Sequence, residues 1–413
     1  MTKQEVKALY TGNIVVALLK DVSTIASFSV AEKWNKQKTN CLEVAIQSVV
    51  QVNPILTSSM DTRKSDNGEE EIVAMFHTFH PKELLKIIPK PSKPNFKKPL
   101  KDLDKKELLA YLEGEIIPQF PSHVGQVTRH CGQEITDKSP VFEVHMMHLP
   151  ENYACYSVSL SHCIGDGAIY YQVMEQLNSA MTSGTIETKI NWDGYEKIKA
   201  PNVAPSLALP PLTMLGFMIG PRVFKKFGPK EAEPYTLLLS KKKIGQKKKE
   251  LVDSTTKYLT SNDVVLSALC GAMLDNAAIQ TQYVNLRGKL DELDPSDAGN
   301  YVLTSVLGAK DAASYPNAIR KVTASGQSNI SPWKSFLPIA RGNYVCNTNW
   351  AGLKSVLDGT VAHVPSNGFI RSRFAAGGSS YFTIIFEYDN EALGVATNCP
   401  IKEGGLLGSI LWD

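Results

Sequence analysis

The sequence predicts a protein of mixed α and β structure, built as two α+β halves joined by a long crossover segment. Short alternating or β-branched segments, which favour strands, lie between amphipathic segments with helical spacing. A proline-rich uncharged stretch, 201–221, and a Lys-rich segment, 241–249, interrupt this order and are typical of a linker region. We therefore expect an N-terminal half over 1–195, a crossover over 196–235 and a C-terminal half over 236–413.

The composition is that of an ordinary globular protein. The 413 residues include 44 Lys and Arg against 41 Asp and Glu, a net charge of +3, and 43% are hydrophobic. A dedicated nucleic-acid-binding protein usually carries a stronger basic bias, so that class is disfavoured. The 7 cysteines include no CxxC pair, which argues against a disulfide framework and a zinc ribbon and fits a reducing compartment. Because the first residues also lack a signal-peptide layout, we expect a cytoplasmic protein.

Local signals place the elements of the first half. A cap at Asn40, with Glu three residues later, predicts a helix start, and a second helix is expected after Asp104. Alternating and β-branched residues over 141–146 and 154–160 predict two strands. A third helix is expected to begin near Asp166.

The second half shows the same kinds of signal. Thr260 opens a cluster of capping residues before an apolar helical pattern. Strand patterns follow over 283–286, 301–307, 342–347 and 381–388.

The segment 161–167, Ser-His-Cys-Ile-Gly-Asp-Gly, carries the strongest catalytic signal. His162 ends a predicted apolar strand, where a histidine can act as a general base because it titrates near neutral pH. Gly165 and Gly167 permit a tight turn into the helix that Asp166 opens. For an arbitrary His-xxx-Asp, a core histidine followed by a helix cap is the commoner interpretation. The strand, the turn and the amphipathic helix around this one favour a site.

These residues resemble a known family. His162-xxx-Asp166-Gly167 resembles the HxxxDG signature of the CoA-dependent acyltransferase superfamily, and four further segments resemble BAHD acyltransferase motifs in the same order. They are 53–56 (Asn-Pro-Ile-Leu), 259–269 (which begins Leu-Thr-Ser-Asn-Asp), 284–290 with Gly299-Asn300, and 347–350 (Asn-Thr-Asn-Trp). Leu357-Asp358-Gly359-Thr360 stands where BAHD members carry DFGWG, so the resemblance is to a divergent relative.

The resemblance implies two chloramphenicol-acetyltransferase-like domains with the active-site channel at their interface. It implies that His162 takes the proton from an acceptor hydroxyl, less readily an amine, as the acceptor attacks the thioester of acyl-CoA. Asp166, the second member of the catalytic motif, would pair with Arg287 and hold the turn. Thr348 and Trp350 are candidate donors to the developing oxyanion.

The resemblance implies that acyl-CoA is the co-substrate and that no cofactor is tightly bound. It also implies that the enzyme is a monomer and that its other substrate is a small-molecule acceptor. Thr260 and Ser261 could bind the CoA phosphates through N–H groups at a helix start. The Lys-rich segment 241–249 could steer the anion, although a solvated surface is the commoner role of such a run.

Two histidine pairs have a spacing of three residues, His77 with His80 and His145 with His148. In strand sequence such positions point to opposite faces, so we expect no metal site.

The apolar and basic residues of 201–226 could contact a membrane surface peripherally, or they could pack in the crossover or line an acyl pocket. Two alternative functions stay open: an enzyme that takes its acyl group from a carrier protein, and a catalytically inactive binding scaffold.

Overall fold

The computed structural model describes most of the chain. The described residues are 5–6, 22–64, 70–75, 80–89, 98–121, 127–129, 140–162, 164–199, 212–213, 215–216, 233–252, 258–314, 316–325, 328, 330–353, 356–366 and 381–413.

The chain forms two compact units, each assembled from three segments. The first comprises Met1–Val203, Arg287–Tyr301 and Leu353–Phe369, and the second comprises Ala204–Leu286, Val302–Gly352 and Ile370–Asp413. Two segments that lie late in the chain therefore belong to the first unit. The domain boundaries predicted at residues 195 and 235 stay a prediction.

The strands are β1 (Glu5–Val6), β2 (Val22–Ala31), β3 (Ser59–Lys64), β4 (Glu70–Met75), β5 (Leu85–Ile88), β6 (Val127–Arg129), β7 (Phe142–Leu149), β8 (Tyr153–Ser161), β9 (Tyr235–Ser240), β10 (Ile279–Asn285), β11 (Val302–Gly308), β12 (Tyr344–Asn349), β13 (Thr360–Pro365), β14 (Tyr381–Glu387) and β15 (Ala392–Thr397). The α-helices are α1 (Lys36–Val52), α2 (Pro81–Leu84), α3 (Lys105–Tyr111), α4 (Gly167–Thr182), α5 (Lys241–Leu251), α6 (Ser261–Ala272), α7 (Ala309–Ser314), α8 (Pro316–Ser325), α9 (Pro332–Ala340) and α10 (Gly405–Ile410).

The main sheet of the first unit has the strand order β13-β2-β8-β7-β5. Its central strand, β8, is buried from Ala154 to Ser161, which explains why the sequence there is apolar or small almost without interruption. Helices α1 and α4 contact each other in this unit. The two strands predicted before the HxxxDG segment and the helix predicted after it are confirmed.

Helix α1 begins earlier than the sequence predicts. Asn35, and not Asn40, is its N-cap, because the side chain of Asn35 accepts a hydrogen bond from Lys38 N at 2.9 Å. The predicted cap at Asn40 was wrong, and Asn40 lies inside the helix on an exposed face.

The sheet of the second unit has the order β11-β10-β12-β14-β15-β9, with β10, β12 and β14 parallel and the outer strands antiparallel. Helix α6 buries Val264, Val265 and Leu269 in the core of this unit. The predicted cap of this helix is confirmed, since Thr260 and Asp263 form a reciprocal capping box.

The Lys-rich segment is helical and not a linker. Ser240 caps α5, and Ile244 is the buried residue of a helix that is otherwise half-buried or exposed. Of the stretch 201–226, for which membrane contact, packing in the crossover or an acyl pocket was predicted, only 212–213 and 215–216 belong to the described residues. No helix in the described ranges has both the length and the apolar composition needed to cross a bilayer.

A buried histidine joins the edge strand β13 to α4 in the first unit. His363 Nδ1 lies 2.8 Å from Ser29 Oγ on β2, and His363 Nε2 lies 2.9 Å from Tyr171 Oη on α4. Burial lowers the pKa of His363 from its ordinary 6.5 to about 4, because the protonated ring would lose its hydration.

This histidine predicts an acid-sensitive fold. The unfolded chain binds the proton of His363 below pH 6.5, whereas the folded chain binds it near pH 4, so acid favours unfolding between these values. We expect the contribution of His363 to the free energy of unfolding to fall by about 3 kcal/mol across this range. Urea unfolding at several pH values measures it: His363→Gln should flatten the profile, and His148→Gln, on β7, should keep the wild-type slope. An unchanged profile in His363→Gln would refute the assignment.

Candidate active site

The turn between β8 and α4 carries the candidate general base. β8 ends at Ser161, His162 follows and is half-buried, and α4 begins at Gly167. Cys163 lies outside the described residues. Gly165 is required by close packing, because a Cβ atom there would lie 2.7 Å from Ile169 Cγ2. The β-branched side chain of Ile169 is stiff and cannot readily move away.

Asp166 is the N-cap of α4. Its Oδ1 accepts hydrogen bonds from the backbone N–H groups of Ala168 at 3.1 Å and Ile169 at 3.3 Å. These two N–H groups would otherwise lack partners at the helix start. Asp166 thereby fixes where the helix begins and how the turn before it is shaped.

The second oxygen of Asp166 binds Arg287, as the family resemblance implies. Arg287 Nη1 donates to Asp166 Oδ2 at 2.7 Å, and the two side chains are 2% and 5% exposed. A buried carboxylate is costly without a cation and hydrogen bonds, and this one has both. Asp166 therefore fastens the turn to a segment that lies 121 residues later in the sequence.

Arg287 is itself held at two further points. Its Nε donates to the backbone carbonyl of Asp297 and its Nη2 to that of Gly299, each at 2.7 Å. The guanidinium also lies 5.2 Å from the ring centroid of Tyr301. The planar fork of donors suits this task, because it binds a carboxylate and two carbonyls in fixed directions where Lys presents a point charge.

Asn300 makes a contact with the candidate base that sequence reasoning did not identify. Its Nδ2 donates to the backbone carbonyl of His162 at 3.0 Å, and the side chain is buried. In the sequence, Gly299-Asn300 stands out only by its resemblance to a family motif. No pattern near Asn300 indicates which carbonyl its side chain binds.

The loop that carries Arg287 and Asn300 is anchored by ionic contacts. Asp297, which is buried, accepts from Lys197 Nζ and from Asn191 Nδ2, each at 2.8 Å. The hydrogen bond to Asp297 raises the pKa of Lys197, so this cation stays charged at neutral pH. The Arg287–Tyr301 segment is thus also held at Asp297, which lies between Arg287 and Asn300 in the sequence.

In the second unit a hydrogen bond links two residues that are neighbours of predicted site residues. Asn349, which lies between Thr348 and Trp350 at the end of β12, donates through Nδ2 to Asn262 Oδ1 on α6. Ser261 directly precedes Asn262 and begins that helix. This hydrogen bond joins the residue between Thr348 and Trp350 to the residue that follows Ser261.

Not every N–H group at this helix start is available. Thr260 N donates to Asp263 Oδ2 at 2.7 Å, and Asp263 N donates to Thr260 Oγ1 at 3.2 Å. The capping box therefore occupies the Thr260 side chain and two N–H groups, while the Ser261 side chain is exposed.

The Thr348 and Trp350 side chains are half-buried, and Trp350 N donates to Ile385 O at 2.7 Å.

The segment that replaces the DFGWG motif forms a turn before β13. Gly359 has a positive φ of 81°, and its carbonyl accepts from Glu32 N at 2.9 Å. Leu357 N donates to Tyr156 Oη at 3.1 Å, and the same hydroxyl lies 2.7 Å from Thr360 Oγ1. The turn is therefore held within the first unit by a buried tyrosine of β8.

The histidine pairs form no metal cluster within the described ranges. His77 lies outside them, and no group of three or more His, Cys, Asp or Glu that could hold a metal occurs in them. Glu143, close to His145, accepts from Lys86 Nζ at 2.7 Å.

Sequence comparison assigns no family to the chain: no protein-family model matches, and no curated protein matches significantly. The fold is the two-domain fold of the BAHD acyltransferases, which confirms the predicted fold class.

Three solved structures illustrate the likeness. TRI101 of F. graminearum, complexed with coenzyme A and T-2 mycotoxin, is 12% identical, with a TM-score of 0.57 over 96% of this chain and 94% of that one. Vinorine synthase is 11% identical, with a TM-score of 0.57 over 99% and 92%. Polyketide synthase associated protein 5 from Mycobacterium tuberculosis is 16% identical, with a TM-score of 0.54 over 99% and 96%. At these identities the likeness establishes the fold and not the reaction.

Proposed function

We propose that the protein is an acyl-CoA-dependent acyltransferase that moves an acyl group from a CoA thioester to an acceptor hydroxyl, less readily to an amine. The observation that carries this proposal is the buried Asp166–Arg287 pair. It fixes the shape of the turn that presents His162. The coenzyme A in the TRI101 complex, on the same fold, supports the choice of co-substrate.

The proposed step balances without any further reactant. The imidazole of His162 accepts the hydroxyl proton while the acceptor oxygen forms a bond to the thioester carbonyl carbon. The tetrahedral intermediate then collapses, the C–S bond breaks, and the imidazolium returns the proton to the CoA thiolate. General-base help of this kind is worth about 10²–10⁴-fold in rate.

Two further roles stay proposals. Thr348 and Trp350 would donate to the oxyanion of the intermediate, and Thr260 and Ser261 would bind CoA phosphate at the start of α6. The hydrogen bond between Asn349 and Asn262, which are neighbours of these residues in the chain, supports considering the two pairs together. We also propose, from the sequence, a cytoplasmic monomer that binds no cofactor tightly and no nucleic acid.

Release of free thiol from acyl-CoA tests the function. Purified protein would be incubated with acetyl-CoA and with longer acyl-CoAs, each with and without a panel of small alcohols and amines. We expect thiol release that depends on the acceptor and that His162→Ala lowers about 10²–10⁴-fold. Release from acyl-carrier protein alone would favour the carrier-dependent alternative, and release from neither donor would favour an inactive scaffold.

Asn300 predicts a separate kinetic effect. Removing its hydrogen bond to the His162 carbonyl frees the backbone that positions the imidazole. We expect Asn300→Ala to lower kcat about tenfold, the equivalent of one hydrogen bond, with little change in the KM for acyl-CoA. Asn276→Ala is the matched control, since Asn276 Nδ2 also donates to a backbone carbonyl, that of Pro400, at 2.9 Å in the second unit. Equal kcat values in both variants would contradict the positioning role.

A further inference from the structure

Helix α9 leaves large apolar side chains in solvent. Trp333 is 80% exposed, the highest value among the large apolar side chains of the described ranges, and Leu337 is 43% exposed. Four residues apart on a helix, these two side chains lie on one face. Ser335, Ile339 and Ala340 are buried. The helix therefore packs by one face and presents tryptophan and leucine on another.

A third exposed apolar residue belongs to a segment that contacts α9. Gly216 is buried against α9, where a Cβ atom would lie 3.2 Å from Ile339 Cγ2 and 3.3 Å from the Phe336 carbonyl. Leu215, the residue before it, is 40% exposed. We call Trp333, Leu337 and Leu215 the α9 patch. Clustered exposed apolar residues of this kind mark interaction surfaces more often than scattered ones do.

The two segments that form the α9 patch contain no carboxylate side chains. Between Asp311 and Asp358 the sequence has neither Asp nor Glu. Its basic residues are Arg320, Lys321, Lys334, Arg341 and Lys354. The stretch between Glu196 and Glu231, which contains Leu215, likewise has neither Asp nor Glu. In a chain with nearly equal numbers of acidic and basic residues, this is a marked local segregation of charge.

We infer that the α9 patch docks on an anionic lipid surface. Tryptophan and leucine suit the boundary between headgroups and acyl chains, and Lys334 and Arg341, both exposed, suit the headgroups. A second copy of the chain fits less well, because a two-fold contact would bring the same basic side chains of both copies together. The inference extends the membrane contact expected for 201–226 to a helix that the sequence had not indicated, and it does not depend on the proposed reaction.

Co-sedimentation with lipid vesicles tests the inference on the full chain. We expect binding to vesicles of phosphatidylcholine mixed with phosphatidylserine, weaker binding to phosphatidylcholine alone, and a decrease as salt is added. Trp333→Gln with Leu337→Gln should weaken binding about tenfold or more, because the apolar anchors are lost. Lys334→Glu with Arg341→Glu should weaken binding to anionic vesicles about tenfold.

The matched control is Val44→Gln. Val44 is 58% exposed on α1 of the first unit, so this variant removes a comparably exposed apolar side chain elsewhere and should bind as the wild type does. Thermal unfolding confirms that each variant is folded. The inference is overturned by wild-type protein that stays in the supernatant with anionic vesicles. It is equally overturned by unchanged binding in the tryptophan and leucine variant, or by a dimer that this variant dissociates.

Discussion

His162→Ala should lower kcat/KM for acyl transfer about 10²–10⁴-fold while leaving the protein folded. The reason is that the acceptor hydroxyl then has no base positioned to take its proton at the moment of attack. The turn should keep its shape, because Asp166 holds it through the N–H groups of Ala168 and Ile169 and through Arg287. The hydrogen bond from Asn300 is to the backbone carbonyl of residue 162, which alanine retains.

Initial-rate measurements of thiol release across a range of pH check this expectation. The wild type should lose activity as the imidazole is protonated, and His162→Ala should lose that limb of the profile together with the rate. His148→Ala removes a half-buried histidine from the neighbouring strand β7 and should keep the wild-type rate and profile. A rate unchanged in His162→Ala would exclude this residue as the base.

Arg287→Ala should reduce the free energy of unfolding by about 3–5 kcal/mol. The substitution leaves the Asp166 carboxylate buried without its cation and removes the donors to the carbonyls of Asp297 and Gly299. Activity should fall as well, because both His162 and Asn300 depend on the same turn and loop. Arg341→Ala, which removes an exposed arginine, should change stability little.

A double-mutant cycle separates the ion pair from the rest of the loop. Urea unfolding of Asp166→Asn, Arg287→Ala and the double variant gives the coupling energy. We expect the double variant to be less destabilised than the sum of the single ones, since neither charge is then left alone. Strict additivity would mean that the pair contributes nothing beyond its separate contacts, and the structural role assigned to Asp166 would have to be abandoned.

The sequence predicted best where a feature is local. Strand β8, the turn and α4 follow from an apolar run, two glycines and a capping aspartate within a few residues. The capping box at Thr260 is equally local. The predicted start of α1 was wrong because Asn35 and Asn40 are both suitable caps by local sequence. Only packing decides which of them the helix uses.

The long-range parts of the site could not be found in this way. The pairing of Asp166 with Arg287 was expected only from the family resemblance. The hydrogen bond from Asn300 to His162 joins residues 138 positions apart, and no local pattern encodes it. Helix α5 was mistaken for linker because its lysines show no apolar stripe, and Ser240 is the one local sign of its start.

The distance along the chain between Asp166 and Arg287 also determines when their ion pair can form during synthesis. During synthesis the strand and the helix that flank His162 emerge first, and the arginine that neutralises Asp166 emerges 121 residues later. Until Arg287 is present, the Asp166 carboxylate has no cation to pair with when it is buried. The nascent chain therefore cannot form the Asp166–Arg287 pair that holds the turn. Truncated translation products that end before the loop at 287–301 therefore lack the arginine that pairs with Asp166.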